Sequence, residues 1–103
     1  MKIDDLFEII QARAQSDPEF SWTAKLLSQG PDKCAEKFGE EAIESIIAAT
    51  KKNKIELIHE TADLLYHLVV MLHANKVTLT EIIDELKRRK NISGIDEKKS
   101  RST

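Results

Sequence analysis

Residues 54–74 read KIELIHETADLLYHLVVMLHA and form the most apolar segment of the chain. At about 100° per residue, the apolar side chains of this segment cover well over half of the circumference of a helix. A helix that is apolar most of the way round has to be buried on most of its sides. The other short helices of a 103-residue chain struggle to supply that cover, so we expect an obligate homodimer or a higher homo-oligomer.

Helical patterns lie on both sides of this segment. They predict a first helix over about residues 4–14, a second over about residues 31–51, and a fourth that begins at a capping box over residues 78–81. Between residues 16 and 31 the pattern loosens into turns. The sequence therefore predicts an all-α fold of four to five helices.

The composition excludes several classes of protein. Aromatic residues make up 5% of the chain, which also has only 3 Gly and 2 Pro, and this argues against a β-barrel or a β-sandwich. The single cysteine, Cys34, excludes an internal disulfide framework and a cysteine-ligated zinc or iron–sulfur site. The sequence has neither a membrane-spanning apolar run nor the apolar block of a secretory signal. We therefore expect a cytoplasmic protein that does not contact membranes.

The C-terminal end differs in charge from the rest of the chain. Residues 87–103 carry a charge of +5 and residues 1–86 a charge of −7, which together give the net −2. We interpret residues 1–92 as one all-α domain and residues 93–103 as a basic, disordered tail. Such a tail can in principle contact a polyanion. A solvated end is the simpler interpretation, and we expect no nucleic-acid partner.

Acidic side chains follow two neighbouring helices. One stripe interrupts the apolar helix within an arc of about 60°, and it consists of Glu56, Glu60, Asp63 and His67. A second group lies within about 100° on the preceding helix, and it consists of Glu40, Glu41 and Glu44. Because a short loop at Asn53 makes the two helices antiparallel neighbours, both groups can face one space.

Carboxylates that converge from two helices suit a hard divalent cation. Mg²⁺ prefers oxygen ligands and is usually shared with substrate phosphates, so Mg²⁺ or Mn²⁺ is favoured over zinc here. The alternative is an ordinary solvated face, because Glu-rich helix faces are common. That alternative is weaker for Glu60 and Asp63, since apolar residues flank both of them.

The spacing Glu-Glu-x-x-Glu followed by Glu-x-x-Asp resembles the metal-binding signature of the MazG-like, all-α nucleotide pyrophosphohydrolases. More narrowly, SWTAKLL at residues 21–27, EKFGEEAIE at residues 36–44 and ETADLLYHL at residues 60–68 resemble the phosphoribosyl-ATP pyrophosphohydrolase family of histidine biosynthesis. The resemblance covers about residues 3–90. It implies a MazG-like bundle, completed by homodimerisation, that hydrolyses phosphoribosyl-ATP to phosphoribosyl-AMP and pyrophosphate.

The resemblance also implies roles for the acidic residues. Four of them are expected to ligate Mg²⁺, or Mn²⁺ in its place, and these are Glu41, Glu44, Glu60 and Asp63. The ion would bridge phosphate oxygens and lower the pKa of a bound water. Glu40 completes the expected catalytic set, where it binds a second ion, takes the proton of the water, or only pairs with Lys33 or Lys37.

Six further residues are expected to bind the substrate, namely Trp22, Thr23, Lys25, Lys33, Lys37 and His67. The lysines would neutralise polyphosphate charge, and the case for Lys25 rests on its place in a loop beside Trp22. Trp22 either stacks on a purine or packs against the bundle. His67 would ligate the metal, contact phosphate or, as we favour, hold Asp63 by a hydrogen bond. No role is assigned to His59.

Two other functions compete with this interpretation. A house-cleaning nucleoside triphosphate pyrophosphohydrolase of the same superfamily would keep the four acids and differ over residues 21–33. A non-catalytic helical dimer that binds polyanions through its basic tail would not need acids within an apolar helix.

Overall fold

The computed structural model describes residues 1–90, 92 and 94–102. Within these residues it contains six helices and no strand, so the predicted all-α class is confirmed. The helices are α1 (Ile3–Arg13), α2 (Trp22–Ser28), α3 (Pro31–Thr50), α4 (Lys54–Ala74), α5 (Leu79–Arg88) and α6 (Gly94–Ser102). Four of them lie where the sequence predicts helices, whereas α2 and α6 are additional.

Helix α2 lies in the segment where the sequence predicted turns, so the expectation of a loop around Trp22 and Lys25 was wrong. The Ser21 hydroxyl caps the helix by accepting a hydrogen bond from the Ala24 N–H at 3.2 Å. Seven residues are too few for the helical period of apolar residues to show clearly. Burial of Thr23, Ala24 and Leu26 stabilises this short helix instead.

Helices α3 and α4 form the main pair of the fold, and they share the largest helix–helix contact in the molecule. Gly30 precedes α3 with a φ of 96°, a conformation that glycine adopts without strain, and Pro31 occupies the first turn. Only residues 51–53 connect the two helices, and the Asn53 side chain caps α4 by accepting from the Glu56 N–H at 3.0 Å. This tight connection makes α3 and α4 antiparallel neighbours, as predicted.

The core lies where α1 and α2 pack against α3 and α4. Its buried side chains are 0–1% exposed, and they are Ile10, Leu26, Cys34, Val69 and Val70. The thiol of Cys34 donates a hydrogen bond to the Leu26 carbonyl at 3.4 Å, and burial raises the pKa of this thiol. Cys34 is therefore a small core residue.

The C-terminal part agrees with the sequence at one helix and differs at the next. The capping box that opens α5 is present, since Thr78 and Glu81 each accept from the other's backbone N–H. Residues 94–102 form α6, whereas the sequence indicated a disordered tail. Lys and Arg in this stretch are good helix formers, and this propensity outweighed the lack of apolar residues. Positions 93 and 103 of that predicted tail lie outside the described residues.

Large aliphatic side chains of α3 and α4 are exposed in the single chain. These side chains are 41–83% exposed, and they are Ile43, Ile46, Ile47, Ile55, Ile58 and Leu65. The buried residues of α4 are His67, Val69 and Val70. Across the part of the chain that the structure covers, none of the helices has the length and apolar character required to cross a bilayer.

Candidate metal centre

The predicted acids of α3 and α4 converge on one place. Carboxylate oxygens of Glu41, Glu44 and Glu60 all lie within 4.8 Å of one another. A second group shares Glu60 and adds Asp63 and His59, again with ligand atoms within 4.8 Å of one another. All four predicted metal ligands therefore belong to one continuous set, which we call the acid cluster: Glu41, Glu44, Glu60 and Asp63.

The acid cluster follows directly from helix geometry. Glu41 and Glu44 are three residues apart on α3, and Glu60 and Asp63 are three apart on α4, so each pair shares one helix face. The antiparallel connection brings the two faces together. Burial differs within the cluster, since the Glu41 side chain is 12% exposed, the Asp63 side chain is 48% exposed, and Glu44 is exposed. The cluster thus combines desolvated carboxylates with carboxylates that a ligand can reach.

Mutual repulsion and burial disfavour ionisation within this cluster. Burial raises the pKa of Glu41 most, and the charges of Glu44 and Asp63 and a hydrogen bond with Glu44 raise it further. The pKa of Glu60 is raised first by a hydrogen bond with Glu44, then by burial and by the charges of Glu44 and Asp63. The cluster therefore retains protons more strongly than isolated carboxyl groups do.

Two carboxylate oxygens have no hydrogen-bond partner. Oε2 of Glu41 and Oε2 of Glu60 are both buried and unpaired among the described residues. Leaving buried carboxylate oxygens unpaired is unfavourable unless a cation or a donor satisfies them. An all-oxygen donor set of three to four carboxylates fits Mg²⁺ or Mn²⁺, which prefer such ligands.

His67 lies behind the cluster on α4, where its side chain is 8% exposed. Its Nε2 is 3.9 Å from Oε1 of Glu41, and its Nδ1 is buried without a partner among the described residues. Burial lowers the pKa of His67 most, and Lys37 lowers it further, while Asp63 and Glu40 act in the opposite direction. The nearest acidic partner of His67 is thus Glu41 on α3, whereas the sequence favoured Asp63.

The lysines of α3 differ in their relation to the cluster. Nζ of Lys37 is 3.0 Å from Oε2 of Glu40, and the charges of Glu40, Glu41 and Glu44 help that hydrogen bond to raise the pKa of Lys37. Nζ of Lys33 instead pairs with Glu36 at 3.3 Å. The charges of the acid cluster therefore act on Lys37. Glu40 makes the contact with Lys37 that was one of its predicted roles.

The α2 residues lie away from the acids. Thr23 is 1% exposed, and its hydroxyl is hydrogen-bonded to the Tyr66 hydroxyl of α4. Lys25 is exposed and lines a shallow cavity with Pro18 and Gln29. Trp22 is 51% exposed and lines a different cavity, of about 390 Å³. These three residues therefore do not form a single group with the cluster in the single chain.

Sequence reasoning missed one residue at the acid cluster and two residues at the cavity beside Trp22. His59 is one, since its Nε2 lies 3.7 Å from Oδ2 of Asp63; the spacing of four residues between them was the available signal. Tyr66 and Arg13 are the others, because both line the cavity beside Trp22. They come from α4 and α1, and no local pattern in the sequence indicates that these helices meet there.

Comparison with known proteins gives an independent line of evidence. The profile of the family described as phosphoribosyl-ATP pyrophosphohydrolase matches residues 3–90. A protein of Paracoccus denitrificans named phosphoribosyl-ATP pyrophosphatase is 62% identical over 96 residues, which is 93% of this chain and 89% of that protein. Proteins of the same name from Dinoroseobacter shibae and Rhodobacter capsulatus are 61% and 59% identical, each over 92 residues. Each match covers 89% of this chain, and it covers 90% of the Dinoroseobacter protein and 89% of the Rhodobacter protein.

Proposed function

Because the chain belongs to the phosphoribosyl-ATP pyrophosphohydrolase family, we propose that it hydrolyses phosphoribosyl-ATP to phosphoribosyl-AMP and pyrophosphate, the second step of L-histidine biosynthesis. The observation that carries the proposal is the acid cluster, which unites residues of α3 and α4 within the matched range. We also propose that the protein acts in the cytoplasm, as part of amino-acid biosynthesis. Breaking the bond between the α- and β-phosphates requires positioning, charge neutralisation and an oriented water.

We propose Mg²⁺ as the cofactor, with Mn²⁺ as a substitute. The acid cluster would hold it, and the unpaired oxygens of Glu41 and Glu60 support this assignment. When bound, the ion neutralises phosphate charge and lowers the pKa of a coordinated water. The Asp63 side chain is 48% exposed, so substrate phosphates can approach it.

The remaining residues orient this site. His67 is buried, and its Nε2 lies 3.9 Å from Oε1 of Glu41, which supports a role for His67 in positioning that carboxylate. Lys37 supplies positive charge one turn before Glu41, where it can meet phosphate oxygens. Its 3.0 Å contact supports a positioning role for Glu40, which holds the ammonium group of Lys37 in place.

We also propose that the protein acts as a homodimer. The exposed aliphatic side chains of α3 and α4 support this, because single chains rarely leave so many large apolar side chains uncovered. On each helix these side chains lie mainly on the side away from the acids, so a second copy can cover them without covering the acids. The contact would bury the sides of α4 that one chain leaves open.

Release of pyrophosphate from purified protein tests the proposed function. We expect turnover of phosphoribosyl-ATP in the presence of Mg²⁺, loss of turnover in EDTA, and much slower release from a panel of ordinary and damaged nucleoside triphosphates. Equal or faster turnover of the damaged triphosphates would instead favour the house-cleaning function. A chain truncated after Lys90 should keep its activity, whereas a protein that only binds polyanions through its tail would show no turnover and lose binding.

A further inference from the structure

A cavity of about 390 Å³ lies at the junction of α1, α2 and α4. Its walls include Arg13, Ser16, Phe20, Trp22 and Tyr66. The volume falls within the range of small-molecule pockets in proteins. The function described above does not use this cavity, although two of its aromatic side chains are unusually open: Trp22 is 51% exposed and Phe20 is 86% exposed.

Arg13 places a positive charge at this cavity. It lies in the last turn of α1 and is exposed, and among the described residues its guanidinium group makes no hydrogen bond or ion pair. A guanidinium group binds phosphate through parallel N–H donors, which makes arginine suited to planar, bidentate recognition of an anion. The cavity therefore combines an unpaired cation with aromatic faces that can contact a purine or a sugar.

A direct connection links the cavity to the acid cluster. Tyr66 lines the cavity, and its ring contacts the ring of His67 edge-on, with centroids 5.1 Å apart. His67 in turn lies 3.9 Å from Glu41. Tyr66 also follows Asp63 by three residues on α4, which places their Cβ atoms about 5–6 Å apart. One substrate molecule can therefore reach both places.

Phosphoribosyl-ATP has two anionic ends. One is the triphosphate chain that is cleaved, and the other is the 5-phosphate of the ribose attached to the adenine ring; ATP has only the first. Resting on the function proposed above, we propose that the cavity holds the phosphoribosyl end of the substrate and that Arg13 binds its 5-phosphate. Arg13 is then the residue by which the enzyme distinguishes phosphoribosyl-ATP from ATP.

The test compares three variants with the wild-type protein in the presence of Mg²⁺. Arg13→Gln removes the positive charge, whereas Arg13→Lys keeps the charge but lacks the parallel N–H donors of the guanidinium group. Lys51→Gln is the matched control. Lys51, like Arg13, is a cation at the C-terminal end of a helix, but it lies at the far end of α3, at the connection to α4. Any helix-dipole effect is therefore shared by Arg13→Gln and the control.

We expect Arg13→Gln to lower the ratio of kcat/KM for phosphoribosyl-ATP to kcat/KM for ATP by about 10–100-fold, as for loss of one charged hydrogen-bonded contact. Arg13→Lys should recover part of this ratio, and Lys51→Gln should leave it unchanged. An unchanged ratio in Arg13→Gln, or an equal loss on both substrates, would overturn the proposal.

Calorimetry separates this proposal from the proposed function. Phosphoribosyl-AMP and AMP are titrated into the wild-type protein and into Arg13→Gln, and no turnover is required. We expect the wild type to prefer phosphoribosyl-AMP and the variant to lose that preference. If the wild type binds with this preference but releases no pyrophosphate, the proposed function fails and the cavity assignment stands. Equal affinities of the wild-type protein for the two nucleotides overturn the cavity assignment.

Discussion

The acids and the exposed aliphatic side chains form two chemically different sides of α3 and α4, and neither side is satisfied within one chain. One side, the acid face, carries the acid cluster, where buried oxygens of Glu41 and Glu60 lack partners among the described residues. The other side, the apolar face, carries aliphatic side chains such as Ile46 and Ile58, both 62% exposed. The first has more carboxylates than the neighbouring Lys37 can neutralise, and the second lacks apolar cover. The comparison shows that one helical hairpin requires two chemically different partners, which can be removed independently.

The largest expected effect comes from the apolar face. Ile46→Glu should raise the dissociation constant of the dimer by about 10³-fold or more, because a two-fold interface contains the substitution twice and each copy would bury a charge. Gln11→Glu on α1 is the control, since it adds the same charge away from this face. Sedimentation velocity at micromolar concentration measures both. A wild-type protein that sediments as a well-folded monomer would contradict the proposed dimer.

The second-largest expected effect is a loss of activity when an acid of the cluster is replaced. Glu60→Gln keeps the shape of the side chain and removes one charge from both ligand groups, so kcat should fall by roughly 10²-fold. Glu56→Gln is the matched control, because Glu56 lies one turn earlier on α4 and outside the cluster. Circular dichroism should show unchanged helix content in both variants. Near-normal turnover in Glu60→Gln would exclude Glu60 from the catalytic site.

Removing an acid should lower activity, as above, but should raise the stability of the metal-free protein. Glu41→Gln in EDTA should raise the melting temperature at neutral pH, because burial and like charges hold the pKa of Glu41 above its usual value. The folded state then binds more protons than the unfolded state. The protein therefore loses the stability that this carboxyl contributes as pH rises from the unfolded pKa through the raised folded pKa.

His67 has the opposite effect on how stability depends on pH. Its pKa is lowered, so the unfolded state binds more protons just below pH 6.5 and the protein gains stability as pH rises there. The increase in melting temperature from wild type to Glu41→Gln should grow from pH 4 to pH 7 as this carboxyl ionises, and it includes any change in the titration of His67, whose Nε2 lies 3.9 Å from Oε1 of Glu41. Saturating Mg²⁺ should reverse the order of the two proteins if the ion stabilises the wild type. A lower melting temperature for Glu41→Gln in EDTA would indicate a structural ion pair instead.

The smallest expected effect concerns the lysines beside the acid face. Lys37→Gln should raise KM by about threefold to tenfold, because the charges of Glu41 and Glu44 act on Lys37 and a polyphosphate would act on it in the same way. Lys33→Gln should have a smaller effect, since Lys33 pairs with Glu36 at 3.3 Å. Steady-state kinetics with phosphoribosyl-ATP measures both. Equal effects would show that only the general positive charge of α3 matters.

The sequence predicted the acid cluster well because its members follow the helical period on two helices joined by a short loop. Glu41, Glu44, Glu60 and Asp63 needed no other part of the fold to be placed correctly. Helix α2 was missed because its seven residues are fixed by tertiary burial, as at Thr23 and Leu26. The cavity beside Arg13 was missed for the same reason, since it exists only where α1, α2 and α4 meet.

The connection of only three residues between α3 and α4 also has a consequence for how the protein folds. The acid cluster spans just residues 41–63, so its closure requires a short loop with a small entropy cost. Contacts between sequence neighbours form faster than long-range contacts, and helical hairpins of this kind assemble within microseconds to milliseconds. We therefore expect the four carboxylates to be brought together before α1 docks and before two chains meet. The repulsion among these carboxylates would then act on the folding rate, so Mg²⁺ should accelerate refolding as well as slow unfolding.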